Sequence, residues 1–324
     1  MTAIVFAGQS YALADGESVL DALLRAGHAI PHGCRAGVCQ ACVLQSDEAP
    51  PANAQRGLSS AQKSLNYFLS CQCQPPAPLS AQAVDQAGQR VTGVVREKSW
   101  LNQRVLRLRI EAPLDFKAGQ YVTLWQSAQL ARSYSLAGSP NPQNLLELHI
   151  RHYPDGAFSS WAAEQLNVGD SLDIQGPLGQ CVYSAPANQP LLLIGMGTGL
   201  APLCGIVQDA LTQGHSAPIH LIAAARNTAD LYYLDELSTL AAQHPQLGIT
   251  WLAQHANQAT PPAVAIGDVY AHVKTHFANL KGYQVYLCGA ASFVTKMRKQ
   301  CFLSGAGMAD ILVDSFVPFA ATKT

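Results

Sequence analysis

The pattern of hydrophobic and polar positions divides the 324-residue chain into three regions of different character. Near the N-terminus, residues 18–27 carry apolar side chains at helical spacing between short strand-like runs. In the middle, residues 105–111 and 146–151 alternate apolar with charged or polar side chains, as half-buried β-strands do. Towards the C-terminus, apolar runs such as residues 191–194 alternate with helix-like segments. The pattern therefore predicts an α+β domain, an all-β domain and an α/β domain, in that order.

The first region, residues 1–86, is predicted to fold as one small domain. Ser18 can cap its helix, Asp21 lies in the first turn and Gly27 ends the helix. The prolines of residues 74–82 predict a semi-rigid linker that holds this domain near the next one. The remaining predicted elements are strands at 3–7, 10–14 and 43–44 and a surface loop at 47–57.

The second region, residues 88–184, contains evenly spaced strands, which predict an antiparallel β-barrel. In addition to the two alternating strands, residues 116–125 predict a turn followed by a strand. The run Gly176-Pro-Leu-Gly179 predicts a tight turn at the rim of the barrel.

The third region, residues 188–324, is predicted to be a doubly wound α/β domain, because strands and helices alternate along it. The predicted strands are 191–194, 219–223, 249–253 and 284–287. The first predicted helix follows the first strand and ends at about residue 211, and the other two cover 230–242 and 292–303.

Composition and charge narrow the class of protein. Hydrophobic residues make up 48% of the chain and charged residues 13%, which is enough apolar material for two or three cores. The net charge of -1 argues against a nucleic-acid-binding protein. The uncharged run at 191–207 contains several glycines and Pro202, so a buried strand and loop explain it better than a membrane span. Nine cysteines without an evident signal peptide favour the cytoplasm.

Cys34, Cys39 and Cys42 are spaced C-x4-C-x2-C, and Cys71 follows at about the width of a small domain. This is the plant-type ligand pattern of a 2Fe–2S cluster, in which one loop supplies three thiolates and a distant segment the fourth. Cys73 competes for the fourth position, but residues 68–71 are predicted to form a strand that delivers Cys71 inward.

Other interpretations of these cysteines are weaker. A zinc site would prefer two C-x2-C pairs, and disulfides would imply an exported chain. Within the loop, Arg35 could offset the charge of the cluster or point to solvent.

A short motif in the second region, Arg132-Ser133-Tyr134-Ser135, carries further chemistry. Alternation along a strand places Arg132 and Tyr134 on one face, where a guanidinium suits a phosphate and a phenol ring suits a flat heterocycle. The alternative interpretation of this motif is an ordinary strand with an exposed arginine. Downstream, Gly156-Ala157-Phe158-Ser159 opens a predicted helix through residue 165, whose free N–H groups suit a pyrophosphate. Helix capping by Ser159 or Ser160 is the alternative.

The third region has a glycine-rich turn, Gly195-Met-Gly197-Thr198-Gly199-Leu-Ala-Pro202, directly after a predicted strand. Such glycines let the backbone approach a ligand at the carboxyl end of a strand, although the run is not a strict G-x-G-x-x-G. Cys288-Gly289 ends another strand at the same edge of the sheet. A small buried residue is the alternative for Cys288.

These motifs resemble known families. The cysteine loop and Leu69-Ser-Cys-Gln72 resemble the β-grasp fold of plant-type ferredoxins, with Gln40 a departure from the small residue usual there. The R-x-Y-S motif, the glycine turn and the late Cys-Gly resemble the flavin and nicotinamide domains of the ferredoxin–NADP reductase superfamily.

The resemblance implies roles for individual residues. Arg132 would bind the flavin phosphate, Tyr134 would pack against the flavin, and residues 156–159 would hold its pyrophosphate. The implied catalytic positions beside the reacting rings are Ser135, Cys288 and Phe316. The remaining cofactor-binding positions are Ser133, His149, Gly197, Thr198, Gly199, Pro202, Arg226 and Gly289.

The domain order is similar to that of the reductase components of bacterial multicomponent oxygenases. The implied activity is transfer of electrons from NADH through FAD and the 2Fe–2S cluster to a terminal oxygenase. We expect NADH because Arg226 is the single basic residue at its site, although the lack of an acid there leans towards NADPH. A pyrophosphate-binding segment favours FAD over FMN, and a monomer is expected. The alternatives are a reductase for a deoxysugar dehydratase and a non-enzymatic 2Fe–2S carrier or sensor.

Overall fold

The computed structural model of the chain contains three β-sheets, one in each predicted region. It describes residues 2–32, 35–37, 40–58, 60–84, 90–127, 130–256, 261 and 263–316. The multidomain prediction is confirmed, since a ferredoxin-type α+β domain, an antiparallel barrel-like domain and a doubly wound α/β domain follow one another.

The first domain is a five-stranded sheet packed against one main helix. Its elements are β1 (Ala3–Phe6), β2 (Gln9–Ala12), α1 (Val19–Arg25), β3 (Val43–Gln45), α2 (Ser60–Ser64), β4 (Tyr67–Leu69) and β5 (Leu79–Ala83). The strand order is β2-β1-β5-β3-β4, with β1 and β5 parallel. The predicted cap is confirmed: the Ser18 hydroxyl accepts a hydrogen bond from the Asp21 N–H at 3.2 Å.

Two details of this domain differ from the sequence prediction. Part of the predicted linker is strand β5, which lies between β1 and β3 and buries Leu79 and Ala81. The alternation of Leu79 and Ala81 with polar neighbours fits a strand covered on one face, and this outweighs the nearby prolines. Cys71 does not lie on a strand, because β4 ends at Leu69 and Ser70–Gln72 form a short 3-10 turn.

The second domain is a six-stranded antiparallel sheet that curls towards closure. Its elements are β6 (Arg90–Asn102), β7 (Val105–Glu111), β8 (Tyr121–Trp125), β9 (Ala131–Ser135), β10 (Leu145–Arg151), α3 (Ala157–Glu164) and β11 (Ser171–Leu178). The order is β10-β7-β6-β11-β8-β9, and a bridge between Leu136 and Leu148 brings the two edges together. The sheet is therefore barrel-like, as predicted.

Two predictions for this domain are wrong in detail. Strand β10 is not half-exposed, because Glu147 and His149 are buried like Leu148 between them. The third domain covers the face that alternation predicted to be exposed. Residues 176–178 belong to β11, where a bulge against β8 replaces the predicted tight turn.

The third domain is a parallel six-stranded sheet with helices on both faces. Its elements are β12 (Leu191–Met196), α4 (Leu200–Thr212), β13 (Ile219–Asn227), α5 (Leu234–Gln243), β14 (Leu247–His255), β15 (Val264–Ile266), α6 (Val269–His276), β16 (Gln284–Ala290), α7 (Ala291–Leu303) and β17 (Ile311–Phe316). The order is β15-β14-β13-β12-β16-β17. The sequence analysis missed β15, α6 and β17, which are short or carry mixed patterns. Among the described residues, no helix combines the length and apolar character needed to cross a bilayer.

Candidate functional site

The central site lies where the third sheet reverses its strand order, between β12 and its neighbours β13 and β16. Ligands of doubly wound sheets bind beyond the carboxyl ends of the strands at such a point. Residues 195–202 leave β12 here and begin α4, with Gly197–Gly199 forming a 3-10 turn. A Cβ atom on Gly199 would lie 2.0 Å from the carbonyl oxygen of Cys288. The turn therefore lies directly on β16, where Gly199 contacts the backbone of Cys288 and Gly289, and Gly197, Thr198 and Pro202 belong to the same turn and helix start.

Cys288 lies in β16 and is fully buried. Burial raises the pKa of its thiol well above the usual value, and the neighbouring thiol of Cys181 raises it further. The side chain is therefore a neutral thiol and not a thiolate nucleophile. In register beside Cys288 on β17 lies Asp314, and Phe316 pairs with Ala290 two residues further on.

Asp314 joins the second and third domains at this site. The Ser135 hydroxyl, at the end of β9, donates a hydrogen bond of 2.7 Å to Asp314 Oδ2. Burial raises the pKa of Asp314 to about 6, although the Ser135 hydrogen bond lowers it. Sequence reasoning missed Asp314, because 179 residues separate it from Ser135 and β17 was not predicted.

The motif Arg132-Ser-Tyr-Ser135 forms β9 at the edge of the second sheet. The Tyr134 ring lies 5.5 Å from the Phe158 ring of α3, so β9 and the start of that helix are neighbours. Ser133 faces its cross-strand partner Thr123, with 2.9 Å between the two hydroxyl oxygens. Ser133 is thus occupied within the sheet, on the opposite face from Arg132 and Tyr134.

The start of α3 supplies backbone N–H groups without a side-chain cap. Gly156 is the N-cap residue, and a Cβ atom there would lie 2.6 Å from Ser159 Oγ. The Ser159 and Ser160 side chains both turn back to the preceding loop, where Ser159 Oγ accepts from Tyr153 N and Ser160 Oγ donates to Pro154 O. Neither serine is the N-cap. An uncapped helix start beside Ala157 and Phe158 fits an anionic group such as a pyrophosphate.

The predicted iron–sulfur ligands lie partly within the described residues. Cys42 precedes β3 and Cys71 lies in the 3-10 turn after β4, whereas Cys34 and Cys39 lie outside the described residues. Antiparallel pairing of β3 with β4 places Val43 opposite Leu69, so Cys42 and Cys71 are carried by neighbouring strand ends. Ser70 fixes this junction by donating to the Cys42 carbonyl at 2.8 Å.

The described part of the cysteine loop is tied to the rest of the domain. Gln72 Nε2 donates to the Arg35 carbonyl at 3.1 Å and lies 3.7 Å from Cys71 Sγ. Gln40 donates to the Gly57 carbonyl at 3.0 Å, which accounts for the larger side chain at this position. Arg35 does not point to solvent, because its side chain is 16% exposed and its guanidinium pairs with Asp21 on α1 at 2.6 Å. A Cβ atom on Gly37, at φ +78°, would crowd Gln72 at 3.0 Å.

The end of β13 contains an acid that the sequence analysis overlooked. Arg226 is exposed on this strand, and Asp230 follows it after a 3-10 turn. The Asp230 carboxylate lies 3.3 Å from Arg104 and 3.6 Å from Arg151, both on the second domain. Asp230 is therefore an acid close to Arg226 in the sequence, and its ion pairs run to the second domain. Arg151 also borders the glycine turn, since its Nη1 would lie 3.7 Å from a Cβ on Gly197.

His149 lies apart from these groups. Its ring is buried between the two domains, where Nε2 lies 3.0 Å from Glu147 Oε1 and Nδ1 lies 3.2 Å from the Tyr232 hydroxyl. Tyr233 also donates to Glu147 Oε1 at 3.0 Å. Both ring nitrogens are used, so the structure places His149 in a contact between domains and not with the other predicted cofactor-binding residues.

The donors present suit the three predicted cofactors. A guanidinium, an aromatic ring and an uncapped helix start on adjoining elements suit a flavin dinucleotide. Gly199 lets the turn after β12 pack on β16, and a glycine-rich turn at this edge of the sheet suits a dinucleotide. Two cysteines on neighbouring strand ends, with an amide donor beside one sulfur, suit half of a cluster site.

Comparisons with known proteins agree with this division. The family model described as a 2Fe-2S iron-sulfur cluster binding domain matches residues 6–76. The oxidoreductase FAD-binding domain matches residues 94–183, and the oxidoreductase NAD-binding domain matches residues 193–299.

Several relatives match over most of their length. The chain is 34% identical to the ferredoxin–NAD(P)(+) reductase component of a naphthalene 1,2-dioxygenase system of Pseudomonas putida, over 94% of each chain. It is 34% identical to an aromatic O-demethylase reductase subunit of Amycolatopsis, over 86% of this chain and 87% of the relative. It is 32% identical to a terephthalate 1,2-dioxygenase reductase component of Comamonas, over 89% of each chain.

Solved structures show the same architecture. The crystal structure of an Amycolatopsis cytochrome P450 reductase has a TM-score of 0.70 and 28% identity, over 99% of this chain and 100% of that chain. The structure of the ferredoxin reductase in carbazole 1,9a-dioxygenase supports the fold. It has a TM-score of 0.68 and 23% identity, over 97% of this chain and 98% of that chain. This chain accordingly belongs to the family of iron–sulfur flavoprotein oxidoreductases that serve as reductase components of oxygenase systems.

Proposed function

We propose that the chain passes electrons from NADH through FAD and a 2Fe–2S cluster to the terminal oxygenase of an aromatic-ring dioxygenase or monooxygenase. Support comes from relatives that are named as reductase components of naphthalene, terephthalate and phenol oxygenase systems. The observation that carries the proposal is the contact between Ser135 and Asp314 at 2.7 Å, because it unites the flavin-type motif with the nicotinamide-type site.

FAD would be held by the second domain. Arg132 would bind the flavin phosphate, and Tyr134, backed by the Phe158 ring, would pack against the cofactor. The backbone at Gly156, Ala157 and Phe158 would receive the pyrophosphate, with Ser159 holding the loop in place. Ser135 would lie beside the reacting edge of the flavin.

NADH would lie across the switch point of the third sheet. Gly197, Thr198 and Gly199 would approach its pyrophosphate, and Pro202 would fix the start of α4. Cys288 and Gly289 would form the floor below the nicotinamide, and Phe316 would close the site from β17. Arg226 and Asp230 would lie near the adenosine ribose.

A flavin bound here would supply the conversion of a two-electron hydride donor into single electrons, which a one-electron cluster requires, and Cys34, Cys39, Cys42 and Cys71 would hold that cluster. The protein itself needs no catalytic nucleophile. Ser135 and Asp314 hold a proton between their oxygen atoms, and Cys288 stays neutral, so that no thiolate charge opposes the approach of reactants. The chain's contribution is positioning and exclusion of water.

Two finer proposals accompany this function. The domains are proposed to cover residues 1–86, 88–184 and 188–324, close to the ranges matched by the three family models. The chain is proposed to act as a monomer in the cytoplasm, where nine cysteines, four of them cluster ligands, suit a reducing compartment.

The test is NADH oxidation by the reconstituted chain with cytochrome c as a one-electron acceptor, in which one NADH reduces two cytochrome c. A purified oxygenase encoded beside this chain should then consume oxygen only in its presence. Failure to oxidise NADH despite bound iron and flavin would leave a non-enzymatic carrier or sensor. Turnover with cytochrome c but with no oxygenase would leave an acceptor such as a deoxysugar dehydratase.

A further inference from the structure

The first two domains meet at a small apolar contact next to the cysteine loop. Ala41, Trp125 and Ala131 form a separate buried cluster, with relative exposures of 0%, 3% and 0%. Ala41 belongs to the ferredoxin-type domain, whereas Trp125 and Ala131 pair across β8 and β9 of the barrel-like domain. The cluster therefore contains residues of both domains.

The apolar contact of Ala41, Trp125 and Ala131 lies next to predicted cofactor-binding residues in the sequence. Ala41 is the immediate neighbour of Cys42, a predicted cluster ligand, and Ala131 is the immediate neighbour of Arg132, the first residue of the flavin-type motif. Arg132 also donates to the Ala131 carbonyl at 2.8 Å. Trp125 thus packs against two alanines, one next to a predicted iron–sulfur ligand and the other next to a predicted flavin-binding residue.

Arg90 packs against the Trp125 indole. Its guanidinium carbon lies 3.6 Å from the centre of the Trp125 ring, and its Nη1 lies 3.8 Å from Asp173. The Trp125 N–H has no hydrogen-bond acceptor among the described residues, so packing and the cation–π contact fix the ring. Arg90 also lines a cavity of about 220 Å³ whose other walls, including Ile30, Pro31 and Val43, belong to the ferredoxin-type domain.

We propose that Trp125 is the positioning residue that holds the cluster loop of the ferredoxin-type domain against the flavin-binding strand β9. Domains joined by a short connection move relative to each other unless their interface is large and apolar. Buried tryptophans are enriched among the few side chains that supply most of the binding energy of an interface. Loss of this anchor would leave each cofactor bound in its own domain but would disturb the distance between them.

The inference rests on the proposed function, and its test separates the two half-reactions. The Trp125→Ala variant should reduce ferricyanide with NADH at the wild-type rate, because this reaction needs only the flavin and nicotinamide sites, which stay intact. Reduction of cytochrome c, which needs the cluster, should fall about tenfold or more, because electron transfer slows as the cofactors separate and because a misplacement of about 1 Å can cost a positioned reaction up to about 100-fold. Trp125→Phe, which keeps an aromatic ring, should restore most of the rate.

A second measurement does not depend on turnover. Hydrogen exchange of the amides in residues 40–45 should accelerate in Trp125→Ala, while exchange in residues 146–151 stays unchanged. Trp100→Ala is the matched control, because Trp100 is a 48% exposed tryptophan on the same sheet and should alter neither property. Ala41→Leu adds bulk on the opposite side of the contact and should reproduce the defect if Trp125→Ala does not fold.

Equal loss of both activities, or unchanged exchange in residues 40–45, would overturn the role of Trp125. Those results leave the proposed function untouched, provided that the wild-type chain reduces both acceptors. A wild-type chain with bound iron and flavin that reduces neither acceptor would instead refute the proposed function.

Discussion

The Ser135 hydroxyl donates a 2.7 Å hydrogen bond to the Asp314 carboxylate, which ties the end of the flavin-type motif to the last strand of the third domain. Asp314 is half-buried, and it lies in register beside Cys288, whose thiol is neutral. An acid with a pKa of about 6 therefore lies among uncharged groups at the proposed reaction site. Such an arrangement has a measurable consequence for stability.

We predict that Asp314→Asn stabilises the apoprotein above pH 6. The pKa of Asp314 is raised from 3.8 to about 6 by burial, so its contribution to stability is complete below pH 3.8 and is lost as the pH rises through 6. The gap between the two pKa values corresponds to about 3 kcal/mol. Denaturant unfolding at pH 4 and pH 8 should show equal stability at pH 4 and a more stable variant at pH 8.

Ser135→Ala is the control for this prediction. The Ser135 hydrogen bond lowers the pKa of Asp314, so its removal should move the loss of stability to higher pH. A pH profile identical in wild type, Asp314→Asn and Ser135→Ala would show that Asp314 is ionised at its ordinary pKa.

Glu147 and its partners connect the second and third domains through a buried polar network. Burial opposes ionisation of Glu147, but hydrogen bonds from His149 and Arg109 and the charges of both partners lower its pKa to about 2. Burial lowers the pKa of His149, whereas its hydrogen bond with Glu147 and the charge of that carboxylate raise it. Tyr233, held at φ +67°, donates to the same carboxylate from the third domain.

We predict that Glu147→Ala destabilises the protein by about 3 kcal/mol at pH 7, because it leaves buried partners unpaired. Tyr233→Phe removes one hydrogen bond and should cost about 1 kcal/mol. Since the pKa of Glu147 is lowered, its contribution is present above pH 4.5 and is lost as the pH falls towards 2. Urea unfolding at pH 7 and pH 3 measures this, and equal effects of Glu147→Ala at both pH values would contradict it.

This network also shows where sequence reasoning fails. Alternation along 146–151 predicted a half-exposed strand, since nothing local reveals that another domain covers Glu147 and His149. Motifs made of neighbouring residues, such as Gly197–Gly199 and the capped start of α1, could be located from the sequence because their geometry is local. Asp314 and Trp125 could not, because their partners lie far away in the chain.

Asp230 leads to a prediction about nucleotide preference. Its carboxylate lies just beyond β13, where an acid favours a free ribose 2′-hydroxyl and repels a 2′-phosphate. It also engages Arg104 and Arg151, which would become available to a phosphate without it. Asp230→Ser should therefore lower the KM for NADPH about tenfold relative to that for NADH. Steady-state kinetics with both nucleotides measures the ratio, with Asp235→Ser on α5 as a control, and an unchanged ratio would exclude Asp230 as a determinant.

The final prediction concerns Gln72, which lies directly after the proposed ligand Cys71. Its amide Nε2 lies 3.7 Å from Cys71 Sγ and donates to the Arg35 carbonyl of the cysteine loop. Amide donors near the sulfurs withdraw electron density and favour the reduced cluster. Gln72→Leu keeps the approximate volume but removes the donor, so the midpoint potential of the cluster should become more negative. Redox titration followed by electron paramagnetic resonance measures this potential. Gln74→Leu is the matched control, because the Gln74 amide bonds to Gly16 at a distance from the loop. A potential that is unchanged in Gln72→Leu, with intact iron content, would show that the Gln72 amide acts only as a strap for the loop.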